Sequence, residues 1–344
     1  MADTPLCSVP FSEINFMSAG ISPCCFSKAQ PLELTDAIDT NTIESSKSFQ
    51  YLQKALISDM LPAWCESCAK VEAVGGQSMR LRRQYPKDAG IKLLTIFLNN
   101  LCNLTCVMCS PQNSSSHTMP DGSKVIYDTQ MRTTVIKRVI IENAHTLRTL
   151  IFSGGEILID PVVFNFLNDP EMKDIFRSLD LINITTNASG MYYRKQEYLD
   201  LLRDFNNVQF TISIDGSLQG TLETIRKGIV AQKFDCATRE LLTIHNKLNA
   251  PTKFNFALQL GNMMDIIDTV TYIQEIATNY RIMLGNRVTH GHMSLEFMTE
   301  DQRLEALKLI DDGLHKIHEQ NVQEVLAVRE LIKTLKTSVP LHQI

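Results

Sequence analysis

The sequence lacks the features of a membrane, secreted or nucleic-acid-binding protein. No apolar run is long enough to cross a bilayer, and the first residues lack the basic and apolar regions of a signal peptide. Lysine and arginine total 33 against 38 aspartates and glutamates, so a net charge of -5 gives no general attraction to phosphate backbones. No basic run or RNA-binding motif is visible. We therefore expect a cytoplasmic protein with neither membrane nor nucleic acid as a partner.

What the sequence does contain is a globular composition and many cysteines. A length of 344 residues with 44% hydrophobic residues suits one large α/β domain with an appendage, or two domains. Disulfides are rare in reducing cytoplasm. The nine cysteines therefore call for another explanation, and metal binding is the first to consider.

Three of the cysteines, Cys102, Cys106 and Cys109, fall within eight residues with CxxxC and CxxC spacing. The apolar run 92–98 before them predicts a buried strand, and the serine-rich stretch 110–116 after them predicts a loop. Thiolates packed this closely favour a shared iron–sulfur cluster. Three ligands on four irons leave one open position, which is typical of a catalytic metal site. Zinc or reduced core cysteines are the alternatives, although a structural zinc site needs four ligands.

The CxxxCxxC motif after an apolar strand resembles the signature of the radical SAM enzymes. The resemblance implies that the three cysteines bind a [4Fe-4S] cluster, whose fourth iron is chelated by S-adenosylmethionine. It further implies an enzyme that reductively cleaves this cofactor to a 5′-deoxyadenosyl radical, which abstracts hydrogen from a substrate. An electron donor such as flavodoxin or ferredoxin is then expected as a partner.

Five further cysteines lie in the first ninety residues: Cys7, Cys24, Cys25, Cys65 and Cys68. Adjacent cysteines rarely bind the same metal ion together, so four ligands are expected, with only one of Cys24 and Cys25 among them. Four thiolates make a closed site for zinc or for a second iron–sulfur cluster. The pattern resembles the auxiliary-cluster modules called twitch and SPASM domains, which in most SPASM proteins follow the barrel instead of preceding it.

From residue 92 onward, apolar runs alternate with helical patterns, which predicts βα units and a parallel sheet. Strands are predicted at 92–98, 147–152, 181–185, 208–214, 254–260 and 293–297, with helices between them. Six strands suit a partial (β/α)6 TIM-like barrel. The predicted organisation is a Cys-rich module at 1–88, the barrel at 89–298, and a C-terminal helical extension at 299–344 that opens with a capping box at Thr299.

Chemistry in α/β barrels lies at the carboxyl ends of the strands. The candidates there, by resemblance to the family, are a glycine-glycine-glutamate motif for the amino group of S-adenosylmethionine and several polar side chains for the rest of the cofactor. The simpler interpretations are turns, a surface charge at Arg226 and a helix cap at Asn262. The cofactor-binding candidates are Gly154, Gly155, Glu156, Asn187, Ser213, Asp215, Arg226 and Asn262.

Other polar residues near the last predicted strand are His290, His292 and Glu296, which are candidates to touch substrate or are simply structural. Cys236 stands apart from every motif and is expected to be a packed thiol. The substrate expected from the resemblance is a peptide or protein. The alternatives are a radical SAM enzyme with a structural zinc site that acts on a small metabolite or sugar, or a non-catalytic metal-binding interaction protein.

Overall fold

The computed structural model of the protein describes residues 6–27, 30–73, 77–86, 89–192, 195–245, 250–284, 288 and 293–335. Its centre is one eight-stranded sheet with the order β2-β1-β3-β4-β5-β6-β7-β8. All neighbouring strands run parallel except β1 and β2, which are antiparallel. The strands are β1 Glu13–Met17, β2 Gly20–Ser22, β3 Leu93–Phe97, β4 Thr149–Ser153, β5 Leu181–Thr186, β6 Val208–Ser213, β7 Thr252–Asn255 and β8 Tyr280–Met283.

Helices connect the parallel strands, as right-handed βα crossovers require. The helices are α1 Val9–Ser12, α2 Thr40–Glu44, α3 Lys47–Ile57, α4 Glu66–Ala73, α5 Met79–Arg82, α6 Thr129–Asn143, α7 Pro161–Leu167, α8 Pro170–Ser178, α9 Lys195–Arg203, α10 Leu222–Ile225, α11 Ala231–His245, α12 Ile266–Ile276, α13 Glu300–Gly313 and α14 Glu319–Thr334. No helix in these described ranges is long and apolar enough to span a membrane.

The predicted α/β class and the six parallel strands of a partial barrel are confirmed by β3 to β8. The sixth strand was predicted in the wrong place, because 293–297 contains a short 3₁₀-helix, Leu295–Phe297, and the last strand is β8. The fifth strand was predicted too long, since β7 ends at Asn255. Short apolar runs do not distinguish a strand from a buried turn of helix by periodicity alone.

Two strands, β1 and β2, were not predicted, and both fall in the stretch assigned to the Cys-rich module. β1 pairs with β3, so Glu13 lies opposite Leu93 and Asn15 lies opposite Thr95. Because Glu13 and Asn15 are polar, the segment does not read as a buried strand, yet both side chains are buried. The module and the barrel therefore share one sheet, while the domain boundary at 88 stays a prediction.

The two faces of the sheet have different chemistry. The face toward the helices is apolar, with side chains such as Leu94, Phe152 and Phe254 in the main hydrophobic core. The barrel interior is polar, and neighbouring strands are linked there by side-chain hydrogen bonds. Asn183 Nδ2 donates to Gln209 Oε1 at 3.2 Å, and Thr211 Oγ1 donates to Asn183 Oδ1 at 3.0 Å.

The C-terminal extension is helical, as predicted. Thr299 and Gln302 form the capping box at the start of α13, with the Gln302 N–H donating to Thr299 Oγ1 at 3.2 Å. α13 contacts both α12 and α14. Asn321 of α14 donates to the Tyr280 hydroxyl of β8 at 2.7 Å, so this extension covers the β8 side of the sheet.

Candidate functional site

The three cysteines of the CxxxCxxC motif lie on the loop that follows β3, and a serine-rich stretch holds this loop. Ser115 Oγ accepts a hydrogen bond from the Cys102 N–H at 3.1 Å, and Ser116 Oγ donates to the Cys102 carbonyl at 2.7 Å. Ser114 Oγ donates to the Leu104 carbonyl at 2.9 Å. The stretch 110–116 was predicted to be a loop. Its serines hold the cysteine motif in place through these hydrogen bonds.

The other side of the cysteine loop is held by backbone that follows α10. The Thr105 N–H donates to the Lys227 carbonyl, and the Val107 N–H donates to the Ile225 carbonyl, both at 2.9 Å. Arg226 lies between these two acceptors in the chain. The same hydrogen bonds therefore hold Arg226 beside the cysteines.

The three thiols lie near one another and near a positive charge. Burial raises the pKa of all three, to about 11 for Cys102, and each thiol raises the pKa of a neighbouring one. The Arg226 guanidinium opposes this at Cys106 and Cys109, because a nearby positive charge favours the thiolate. Since the thiolate is the form that binds metals, Arg226 favours the ligand form.

The glycines after β4 allow the chain to touch the cysteine loop. Gly154 has a φ of +145°, and a Cβ there would lie 2.7 Å from the Asn99 carbonyl oxygen. At Gly155 a Cβ would lie 2.0 Å from the Leu101 carbonyl oxygen. The Glu156 N–H donates to that same Leu101 carbonyl at 2.7 Å. Two residues without side chains are therefore needed for this backbone contact.

The carboxylate of Glu156 is buried at the end of β5. Its Oε1 accepts hydrogen bonds from the Leu158 N–H at 3.1 Å and from the Thr186 hydroxyl, and its Oε2 accepts one from the Asn187 N–H at 2.6 Å. Burial raises the pKa of this carboxyl, while these donors oppose the rise. A carboxylate has about four acceptor positions, so one remains for the ammonium group of a ligand.

The end of β5 contacts the cysteine loop through Asn103, a residue that motif reasoning missed because it attends only to the cysteines. Ser189 Oγ donates to Asn103 Oδ1 at 3.1 Å, and Asn187 Nδ2 donates to the same atom at 3.5 Å. Asn103 lies between Cys102 and Cys106 in the chain. The predicted candidate Asn187 is thus brought to the cysteines.

Asp215 and Arg226 form a buried ion pair beside the thiols. Asp215 Oδ2 lies 2.7 Å from Arg226 Nη2, and Asp215 Oδ1 accepts from the Ala257 N–H at 2.7 Å. Burial raises the pKa of Asp215, and Arg226 opposes this. At Arg226, burial acts to lower the pKa, but Asp215, Cys106 and Cys102 outweigh it and the pKa is raised. The guanidinium therefore stays charged.

Asn262 and Ser213 are also buried near this ion pair. Asn262 Nδ2 donates to the carbonyls of Asp215 and Ala257, both at 3.1 Å, so both of its amide hydrogens are used. Its side chain makes no helix-cap hydrogen bond. Ser213 lies opposite Asn255 across β6 and β7. A contact of Asn262 or Ser213 with a cofactor stays a prediction.

Asp265, which sequence reasoning missed, holds the loop between Asp215 and Arg226. Its carboxylate accepts from the N–H and the hydroxyl of Ser217, each at 2.8 Å, and from the N–H and hydroxyl of Thr221, at 2.8 and 2.9 Å. The only sign of such an anchor in the sequence was that this loop is short and contains polar residues.

The segment that contains all of these elements matches a family model. Residues 96–245 match the model of the Radical SAM superfamily. This segment, 150 of the chain's 344 residues, is therefore similar to the radical SAM superfamily domain. The matched segment includes the three motif cysteines, Glu156, Asp215 and Arg226, while Asn262 lies beyond it.

Solved structures with some likeness to this chain include "Native anSMEcpe with bound AdoMet", with 17% identity and a TM-score of 0.45, covering 65% of this chain and 60% of that one. Another is the methyltransferase TsrM from Kitasatospora setae with tryptophan and a SAM analogue, with 16% identity and a TM-score of 0.39, covering 56% and 36%. The chain thus spans less than two thirds of either. No curated protein sequence matches it significantly.

The donor set beside the radical SAM motif fits a four-iron cluster. Three mutually close thiols offer one ligand to each of three irons, and Arg226 Nε is buried with no acceptor among the described residues, so it is available to an anionic group. In the described part of the chain, no three Cys, His, Asp or Glu side chains converge on a point that would hold a single metal ion. The thiolates of a cluster need no such convergence, because they bind different irons.

Four of the five N-terminal thiols line one pocket. They are Cys7, Cys24, Cys65 and Cys68. Burial raises the pKa of Cys7 to about 12, and the other three thiols add to the rise. Cys25 is not among the lining residues, although its Sγ lies 3.6 Å from Sδ of Met79, which does line the pocket. The choice between the two adjacent cysteines as a ligand stays a prediction.

The walls of the four-thiol pocket are mainly apolar, with Leu52 and Leu56 of α3 and Trp64 among them. The Phe26 N–H donates to Cys24 Sγ at 3.4 Å. Arg80 also lines the pocket, and its charge lowers the pKa of Cys65, although burial raises it overall to about 11. An N–H donor and one guanidinium near four thiols are suited to sulfur ligands that carry negative charge.

Three further residues were singled out from the sequence. His290 and His292 lie outside the described residues. Cys236 was predicted to be a packed thiol, but it is exposed on α11.

Proposed function

We propose that this protein is a radical SAM enzyme whose Cys102, Cys106 and Cys109 hold a [4Fe-4S] cluster and whose second cluster lies in the N-terminal pocket. The observation that carries the proposal is the meeting of three separate strand ends at the cysteine loop: Gly155 contacts it directly, Asn187 reaches it through Asn103, and Asp215 reaches it through Arg226. If these motifs were only turns or a surface charge, nothing would require their residues to lie together at the cysteine loop.

The chain's own residues have distinct tasks in this proposal. Glu156 keeps one acceptor position for the ammonium group of the cofactor, since its other contacts are internal. Arg226, which has a free Nε, takes the cofactor carboxylate or the negative charge of the cluster. Asp215 keeps Arg226 in place, and Ser213 and Asn262 line the same strand ends. When bound, cluster and cofactor supply a 5′-deoxyadenosyl radical that abstracts hydrogen from the substrate.

The N-terminal pocket is proposed to be a twitch- or SPASM-like auxiliary site with Cys7, Cys24, Cys65 and Cys68 as ligands. The apolar walls and the four thiols favour a closed site that exchanges electrons and does not bind substrate. Such a site suits a net oxidation, because it can accept the electron of a substrate radical. The proposed substrate is a peptide or protein, the electron donor a flavodoxin or ferredoxin, and the compartment the cytoplasm.

The test is anaerobic reconstitution followed by iron, sulfide and zinc counting on the wild type and on a variant with Cys102, Cys106 and Cys109 changed to alanine. About eight irons falling to about four supports two four-iron clusters. About four irons falling to none, with one zinc retained, replaces the second cluster by a structural zinc site. No iron bound by the wild type contradicts the proposal and leaves a non-catalytic metal-binding protein.

A further inference from the structure

Two basic residues lie side by side on the interior face of the barrel, at its open edge. Lys253 of β7 is directly opposite Arg281 of β8 in the sheet register. The next pair, Phe254 and Ile282, is buried in the core on the helix side. Because side chains alternate along strands, Lys253 and Arg281 both face the barrel interior.

A third cation, Arg83, follows α5 and is paired with β1. Arg83 Nη1 lies 2.7 Å from Glu13 Oε2, and Glu13 is fully buried on β1. The pKa of Lys253 is lowered, first by burial and then by the charges of Arg83 and Arg281. The charge of Arg83 therefore acts on the Lys253–Arg281 pair, which the sheet register places side by side.

The basic cluster of Arg83, Lys253 and Arg281 is only partly neutralised by the described residues. Glu13 pairs with Arg83. In the described part of the chain, no carboxylate lies within ion-pair distance of Lys253 or Arg281. Like charges held side by side repel one another, here with Lys253 half-buried and Arg281 exposed, and a bound anion offsets that repulsion. The excess is local, because the whole chain has a net charge of -5.

The depth of the cluster in the barrel suits a substrate. β7 ends at Asn255, and Lys253 is two residues before that end. In the register with β6, Lys253 lies opposite Thr211 and Asn255 lies opposite Ser213. Two residues along a strand correspond to about 7 Å. The cluster therefore lies one layer of side chains below the strand ends, where the cysteine loop is.

We propose that Lys253 and Arg281, assisted by Arg83, bind an anionic group of the substrate, a carboxylate or a phosphate. This inference rests on the proposed function and adds the chemical class of the substrate to it. A peptide with an acidic side chain or a free carboxyl terminus would meet the requirement, as would a phosphorylated metabolite.

The experiment titrates reconstituted full-length protein with inorganic phosphate in one arm and with glutarate in the other, following thermal stability at constant ionic strength. We expect a saturable rise in the melting temperature in at least one arm. In Lys253→Gln and in Arg281→Gln, the apparent affinity should fall about tenfold or more, as for the loss of a charge-assisted hydrogen bond. The probe that binds more tightly identifies the source of the anionic group.

Two control variants separate a site from a general effect of charge. Lys253→Arg keeps the positive charge and should keep the affinity within a few-fold. Lys308→Gln removes an exposed lysine on α13 and should change nothing. No saturable rise in either arm, or equal losses in Lys308→Gln and Lys253→Gln, overturns the inference.

A second readout separates this inference from the proposed function. Lys253→Gln should still cleave S-adenosylmethionine when reduced, because the cluster ligands are untouched. If wild-type protein cleaves the cofactor but binds neither anion, only the anion site is wrong. If the wild type neither holds iron nor cleaves the cofactor, the proposed function is wrong, whatever the anion titration gives.

Discussion

The two thiol-rich regions of the molecule differ in what surrounds their sulfurs. The CxxxCxxC loop is clamped by serine hydroxyls, backbone hydrogen bonds and the Asp215–Arg226 pair. The N-terminal thiols line a pocket whose walls are mainly aliphatic and aromatic. A site that must bind a polar cofactor needs polar groups around it, whereas a closed four-ligand site needs only its thiols and a dry pocket. The contrast predicts chemistry at the first region and electron exchange at the second.

The largest expected effect separates the two regions directly. Replacing Cys102, Cys106 and Cys109 by alanine should abolish reductive cleavage of S-adenosylmethionine, because these thiols are the proposed ligands of the catalytic cluster. Replacing Cys65 and Cys68 by alanine should leave cleavage intact and stop product formation. Chromatographic detection of 5′-deoxyadenosine measures cleavage in both variants, and mass spectrometry of the substrate measures product formation. Loss of cleavage in the second variant would make the N-terminal site structural.

The second-largest expected effect tests the Asp215–Arg226 ion pair beside the CxxxCxxC loop. Arg226→Leu should lower the free energy of unfolding by about 3–5 kcal/mol, because it leaves the buried Asp215 carboxylate without its partner. The measurement is urea unfolding of the metal-free protein, so that cluster binding does not contribute. The double variant Arg226→Leu/Asp215→Leu should recover much of the loss. A single-variant loss below 1 kcal/mol would show that the pair is not buried in solution.

A smaller effect tests the backbone contact between β4 and the cysteine loop. Gly155→Ala should destabilise the protein by about 1–3 kcal/mol, as for overpacking, because its Cβ would lie 2.0 Å from the Leu101 carbonyl oxygen. It should also reduce iron binding by displacing that loop. Gly122→Ala is the matched control, since Gly122 has a φ of +82° but nothing within 4 Å of its Cβ position. Iron content unchanged in Gly155→Ala would disprove the coupling.

The smallest effect on catalysis distinguishes the two adjacent cysteines of the second region. Cys24→Ser should lose the N-terminal metal and keep the catalytic cluster, because Cys24 lines the pocket. Cys25→Ser should keep both, since Cys25 is not among the residues that line the pocket. Elemental analysis of the two purified variants compares them under identical conditions. The opposite result would reassign the fourth ligand to Cys25.

Much of the fold was predictable because parallel strands leave a strong local signal. The stretch 92–98 is a nearly continuous apolar run, typical of strands buried on both faces. The stretch 208–214 alternates apolar and polar residues, which is the other strand pattern. β1 escaped prediction because Glu13 and Asn15 are polar, and they are buried only because the barrel interior is polar too. β8 was missed because four residues with an exposed Arg281 carry too little apolar pattern.

The sequence by itself determined the class of the fold, the cysteine sets and the order of the strand-end motifs, because each depends on short stretches of chain with strong spacing. Only the tertiary structure decided which side chains meet. Arg226 lies 11 residues after Asp215, yet their pairing depends on the loop that Asp265 holds. Likewise, only the folded chain shows that Cys24 lines the N-terminal pocket and that Cys25 is not among its lining residues. Lys253 and Arg281 come from separate strands, and only the register of β7 and β8 brings their charges together.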